Sequence, residues 1–201
     1  MRKLLLPLGL IIVLTVVLSA LLMWSPSVKR DEMPVSIIAE VPKGGDFTLN
    51  SHGGEVALSA LRGKVVVLYF GYTWCPDICP TSLGFLAGAL NELSADELER
   101  LQVLFISVDP ERDTLERLKA YGEYFHPSIL GVTGSPEAVA KTAKLYGAAY
   151  SVAKQESAMG YAVDHSADLY MIDPLGHLAG KLPHGTPPSE MLAALRELLA
   201  Q

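Results

Sequence analysis

The chemistry of this chain converges on five residues, Cys75-Pro76-Asp77-Ile78-Cys79, which hold the only two cysteines among 201 residues. They follow the apolar run Val65 to Phe70 and the short connector Gly71-Tyr72-Thr73-Trp74. A helix starting near Pro76 puts Cys79 in its first turn and Cys75 just ahead of it, so both sulfurs can face one point. A helix N-terminus offers partial positive charge and free N–H groups, which stabilise a thiolate over a thiol. A structural disulfide, a redox couple and a metal site are all compatible with such a pair. A disulfide closing so short a loop gains little stability, because the gain grows with the length of chain constrained. Three intervening residues, one more than in ordinary thioredoxin motifs, can separate the sulfurs enough to admit a metal ion and still let them close a disulfide.

Thiolates select soft ions, above all Cu(I) and also Zn(II). Two sulfurs leave either ion short of a ligand, and a histidine is the natural supplement. Of the five histidines, His165 stands out because it directly precedes an inferred central strand, at the edge of the fold where the cysteines belong. On position alone, a ligand role and an ordinary polar role are equally good readings of it. His52 falls in a turn, His126 ends a helix, and His177 and His184 lie in or after a hairpin, where capping or solvation is the plain reading. Asp77 favours the helix start electrostatically, and Asp109 and Asp164 can steer a ligand or partner or simply form turns. Trp74, Tyr72 and Tyr161 are packing residues first, which near the motif can also shield it from water.

Around these residues the pattern predicts a mixed α/β domain. Phe47-Thr48-Leu49 and Val56-Ala57-Leu58 flank the turn-forming Asn50 to Gly54 and predict a hairpin. Val65–Phe70 and Gln102–Val108 read as strands buried on both faces. Between them a helix runs from about Pro76 to Leu93, in which Gly84 and Gly88 suggest close approach to another element. Ser94 to Glu97 caps a short helix, Thr114 starts another through about Phe125, and Ile129–Val132 reads as a third strand. Ser135-Pro136 opens a helix to about Tyr146. A polar, irregular stretch follows from Ala148 to Asp164, then a strand at Asp168–Ile172, a turn into His177–Gly180, and a last helix from about Pro187. That helix presents Met191, Leu192, Leu195, Leu198 and Leu199 on one side. Strand, helix, strand, helix, hairpin and helix is a thioredoxin-like order, a central sheet flanked by helices, with the cysteines at its first strand-to-helix junction.

The mean hydropathy is positive, chiefly because Leu4 to Val28 contains no charged residue. That run suffices for a transmembrane helix, which needs about 20 apolar residues. It is longer than the core of a cleaved signal peptide, and no small-residue cleavage site precedes Trp24. Arg2, Lys3 and the amino terminus outweigh Lys29-Arg30, so the tail is expected in the cytoplasm and the domain outside. Residues 1–28 are thus expected to form a tail and transmembrane anchor, 29–43 a proline-containing linker, and 44–201 the folded domain. The formal charge of −6 and the lack of a basic stripe argue against nucleic acid as a partner.

Three blocks identify a resemblance. Gly71 to Pro80, Ser107-Val108-Asp109-Pro110-Glu111-Arg112-Asp113-Thr114, and Val163-Asp164-His165-Ser166 followed by Tyr170 to Gly176 resemble, in order and spacing, the Sco/SenC family. The likeness runs from about Gly44 to the C-terminus. It implies a membrane-anchored thioredoxin-like domain that binds copper, as Cu(I) and also Cu(II), through Cys75, Cys79 and His165. It also implies service in cytochrome c oxidase assembly at the binuclear copper centre of subunit II, with other copper chaperones as further partners. Within that role the family acts as a metallochaperone, as a thiol-disulfide reductase using the same cysteines catalytically, or as both, and a copper or redox sensor is a further reading. Asp109 falls in the family's Asp-Pro block, with an implied part in copper uptake or partner contact. A short N-terminus without an arginine-rich transit segment points to the bacterial inner membrane, with the domain in the periplasm.

Overall fold

The structure is a computed structural model that describes residues 42–157 and 160–201, together with Thr15, Leu18 and Ser19. Apart from those three residues, the expected anchor, Leu4 to Val28, lies outside the described residues, as does the linker up to residue 41. Among the described residues no helix is long and apolar enough to cross a membrane.

Residues 40–201 form a compact unit of their own, built on a seven-stranded sheet. Its strands are β1 (Thr48–Ser51), β2 (Gly54–Ala57), β3 (Val65–Gly71), β4 (Leu101–Ser107), β5 (Ile129–Thr133), β8 (Leu169–Ile172) and β9 (Leu178–Leu182). They lie in the order β2-β1-β5-β4-β3-β8-β9. β3, β4 and β5 run parallel, whereas β8 and β9 continue the sheet antiparallel. β6 (Tyr150–Ser157) and β7 (Gly160–His165) form a separate antiparallel ribbon.

Every residue of β3 is buried, as an unbroken β-branched and aromatic run should be when helices cover both faces. Alternation divides its side chains between two cores. Val65, Val67 and Tyr69 pack with α1 (Ile78–Leu90), α3 (Leu115–Phe125) and α5 (Pro188–Leu199). Val66, Leu68 and Phe70 pack on the other face with α4 (Pro136–Tyr146). The short α2 (Ala95–Glu99) is fixed by a reciprocal capping box between Ser94 and Glu97, as Ser94-Ala95-Asp96-Glu97 foretold. Thr114 and Ser135 cap α3 and α4 through their side-chain oxygens.

Two expectations need correction. The stretch from Ala148 to Asp164, read as irregular, contains the β6–β7 ribbon. In β7 only Val163 is fully buried, so the strand lacks the apolar alternation by which a half-buried strand is recognised. Of the glycines in α1, Gly88 does meet α5, where an added Cβ would lie 3.4 Å from Pro188, but Gly84 faces open space.

A tighter approach occurs where α3 crosses β5. A Cβ on Gly131 would stand 2.5 Å from the Leu118 carbonyl oxygen, so backbone meets backbone and nothing flexible can yield. Gly131→Ala is therefore expected to lower the unfolding free energy by about 1–3 kcal/mol, the usual cost of overpacking, measurable as a lower midpoint in urea denaturation.

Candidate metal centre

The site begins where β3 ends. Gly71 is the last residue of the strand, and an added Cβ there would lie 2.6 Å from the Cys79 sulfur and 2.9 Å from the Phe105 ring. The absence of a side chain at Gly71 is what lets Cys79 rest against the strand. Its one sequence signal is a glycine that ends a buried apolar run, and spacing alone gave it no such role.

From Gly71 the chain turns through Thr73 and Trp74 into α1. Asp77 occupies the N-cap position but makes no capping bond with its side chain; its carboxylate instead accepts from the Thr81 hydroxyl at 3.5 Å. The backbone N–H of Cys79 points to the Cys75 sulfur at 3.5 Å. A sulfur thus fills the acceptor role that a Ser, Thr or Asp oxygen ordinarily fills at a helix start. Pro80, inside the first turn, lacks an N–H where none is needed.

His165 comes from the far end of β7. Its Nδ1 lies 3.0 Å from the Ser166 carbonyl oxygen; because a carbonyl only accepts, Nδ1 carries the proton and Nε2 faces the sulfurs. Nε2 stands 3.3 Å from the Cys79 sulfur. The imidazole is wedged edge-on between Tyr69 and Tyr72, with ring centroids 6.3 and 5.8 Å away. The donor atoms of Cys75, Cys79 and His165 all lie within 4.8 Å of one another, the only such metal-ligating group among the described residues.

The two cysteines are free thiols, so the structure holds no disulfide between them, and they differ sharply. Cys75 is half-buried at the surface, whereas Cys79 is fully buried. A hydrogen bond from Cys79 lowers the Cys75 pKa to about 3 against the opposing effect of burial, and His165 and the N–H groups of Cys79 and Asp77 add to the lowering. Burial drives the Cys79 thiol up, and the neighbouring Cys75 charge drives it further. The two shifts run in opposite directions, favouring the thiolate on Cys75 and the thiol on Cys79. For His165, burial opposes the imidazolium, but bonds to Cys75 and to Ser166 outweigh it and the pKa rises.

The remaining candidates sort themselves by distance. His52 stands beside Glu116, His126 accepts from the Ser128 N–H, His177 pairs with Asp173, and His184 bonds Ser82. Asp164 is exposed on β7. Asp109 is buried and engaged by Arg112 and Tyr161. Asp113 drew no functional reading from the sequence, yet its carboxylate accepts from the Thr73 N–H at 3.0 Å and the Thr73 hydroxyl at 2.6 Å. Trp74 is 39 % exposed beside Cys75 and lies under Arg117, whose guanidinium is 4.4 Å from its ring centroid.

Two sulfurs and an imidazole, on a rim partly shielded by aromatic rings, suit a soft ion of low coordination number, whose binding would displace the Cys79 proton. Zinc would need a fourth donor for its tetrahedral preference.

The SCO1/SenC family model matches residues 37–200. The chain belongs to the SCO1/SenC family. Among curated relatives, the mitochondrial SCO2 homolog of Bos taurus is 45 % identical over 134 residues, 66 % of this chain and 50 % of that protein. The chain thus spans about half the length of such relatives. Among solved structures, copper-bound ScoI of Arabidopsis thaliana matches with a TM-score of 0.70 and 34 % identity, covering 79 % of this chain and 99 % of that one. Apo Sco1 of Thermus thermophilus matches with a TM-score of 0.71 and 41 % identity, covering 78 % of this chain and 92 % of that one. These likenesses bear out the family resemblance and the mixed α/β fold with its central sheet between helices.

The contrast between the two cysteines has a direct readout. A free thiol loses reactive thiolate tenfold per unit as pH falls below its pKa near 9, whereas a pKa lowered to about 3 keeps Cys75 ionised throughout that range. Alkylation of the reduced apo-protein by iodoacetamide, followed by peptide mass mapping, should modify Cys75 at a rate nearly constant from pH 8 to pH 5 and leave Cys79 unmodified. A rate falling tenfold per unit would overturn the assignment.

Proposed function

We propose that this SCO1/SenC protein is a membrane-anchored copper metallochaperone that serves assembly of the binuclear copper centre of cytochrome c oxidase. The observation that carries this reading is the convergence of the Cys75, Cys79 and His165 donor atoms within 4.8 Å. Copper bound to the Arabidopsis relative supports the choice of ion. Cu(I) is held by the two sulfurs with His165 completing the set, and the same imidazole lets the site take Cu(II). The thioredoxin-like scaffold places Cys75 at the surface, where ligands can exchange one at a time with those of oxidase subunit II or of another copper chaperone, so that copper passes without becoming a free ion.

The asymmetry of the cysteines favours a second activity for the same pair, reduction of a disulfide in the oxidase subunit. The exposed Cys75 thiolate attacks one sulfur of the partner disulfide, forming a mixed disulfide and releasing the other sulfur as a thiolate. Cys79 then loses its proton and attacks the Cys75 sulfur. This closes the Cys75–Cys79 disulfide and releases the second partner thiol, so two electrons have passed to the partner.

In this reading residues 1–28 are the tail and anchor, residues 29–43 the linker and residues 44–201 the domain, held outside the cytoplasm at a bacterial inner membrane. A periplasmic-type reporter fused after Gln201 should be active only outside the cytoplasm; activity confined to the inside would overturn the orientation.

Titration of the reduced full-length chain with Cu(I) under a competing chelator should give one bound ion. Cys79→Ser is expected to abolish binding, and His165→Ala to weaken it by about 10-fold or more while removing the imidazole signal of the Cu(II) form. Failure of the unsubstituted chain to bind either ion stoichiometrically would sink the metallochaperone reading.

A further inference from the structure

The cysteines and His165 come from segments 86 residues apart in sequence, and one short turn touches both. Residues 107–113 leave β4 and fold back on themselves, with the Arg112 and Asp113 N–H groups donating to the Asp109 carbonyl at 3.2 and 3.1 Å. Asp109 and Asp113 are only 4 % and 1 % exposed. Buried carboxylates persist only when their oxygens are paired and hydrogen-bonded, and each finds its partners on a different ligand-bearing segment.

Asp113 fastens the cysteine side. It accepts from the N–H and hydroxyl of Thr73, two residues before Cys75, and from the Ser107 hydroxyl at 2.7 Å. Arg117 closes the cluster by donating to the Thr73 hydroxyl at 2.5 Å.

Asp109 fastens the histidine side. Side chains alternate along a strand, so Tyr161, Val163 and His165 project from one side of β7. The Tyr161 hydroxyl donates to Asp109 at 2.6 Å, and Arg112, itself paired with Asp109, donates to the Tyr161 carbonyl at 2.8 Å. The Arg112 guanidinium also lies 3.7 Å from the Tyr161 ring centroid. Farther along, the Val163 N–H donates to the Tyr72 hydroxyl at 3.3 Å, and His165 then enters the site. The ribbon has no place in the seven-stranded sheet, so such bonds, rather than a strand ladder to the body, fix where His165 stands.

We propose that the 107–113 turn is a bracket that sets the spacing between His165 and the two sulfurs. Asp113 positions the cysteine loop through Thr73, and Asp109 with Arg112 positions β7 through Tyr161. All five are positioning residues. The inference rests on the reading of Cys75, Cys79 and His165 as a metal centre, and it assigns the capacity of that centre to take Cu(II) as well as Cu(I) to the Tyr161 side of the bracket. The soft sulfurs carry most of the hold on Cu(I), so displacing the imidazole weakens Cu(II) binding more than Cu(I) binding.

Tyr161→Phe in the full-length chain removes one hydroxyl and keeps the ring. In the copper-free protein it should shift the His165 ring resonances, which sense the faces of Tyr69 and Tyr72. After loading it should lower Cu(II) affinity by about 10-fold or more and weaken the imidazole nitrogen coupling in the electron paramagnetic resonance spectrum, with one Cu(I) still bound. Asp113→Asn should do the reverse, changing the Cys75 alkylation rate while leaving the His165 resonances in place. Should Asp113→Asn unfold the chain, Thr73→Val removes the same hydroxyl bond and reads the same rate. Unchanged His165 resonances and Cu(II) spectra in folded Tyr161→Phe would overturn the bracket, as would an unchanged Cys75 rate in the folded Asp113 or Thr73 variant. If the unsubstituted chain bound no copper, the metal reading would fall, and the copper-free resonances and alkylation rates would still decide the bracket.

Discussion

The bond from the Cys79 backbone N–H to the Cys75 sulfur is the interaction on which the site depends. A helix N-terminus must satisfy its free N–H groups, and α1 does so with a sulfur where Asp77 could have supplied a carboxylate oxygen. The cap is thereby also the reactive atom. Negative charge on Cys75 is favoured by the same N–H groups that need an acceptor, and by the proton that burial keeps on Cys79.

That cap works because of what lies behind it. β3 is buried on both faces and ends at Gly71, which has no side chain to hold Cys79 off the strand. Phe105 closes the same space from β4, and Tyr69 and Tyr72 flank the imidazole from β3 and its exit. Covering both faces of β3 thus leaves its C-terminal end as the place where polar and sulfur groups gather, as in open α/β sheets where ligands sit beyond the strand ends. Cys79 is sealed there and Cys75 is not. The two sulfurs thereby differ in access, one open at the rim and the other reached only through it.

The histidine arrives by a different route. The β6–β7 ribbon is outside the main sheet, so no ladder of backbone bonds fixes its register against the body, and side-chain bonds to Asp109, Arg112 and Tyr72 take that role. The place of His165 thus depends on a few residues outside the Cys75, Cys79 and His165 group.

The sequence by itself determined the elements and the chemical types of the site. Unbroken apolar runs mark β3 and β4, Ser94, Thr114 and Ser135 mark helix starts, and the Cys75–Cys79 spacing at a strand-to-helix junction marks the reactive pair. Each of these signals is local, set by propensity, capping and periodicity within a few residues. The ribbon escaped because its sparse burial leaves no alternating pattern, and Asp113, Gly71 and Tyr161 escaped because their roles consist of contacts with residues far away in the chain. Only the tertiary structure brought His165 to 3.3 Å from Cys79 and shifted the two thiols in opposite directions, Cys75 down and Cys79 up. Burial, and the approach of groups from distant segments, are properties of the packed molecule and are written nowhere in the spacing of the cysteines.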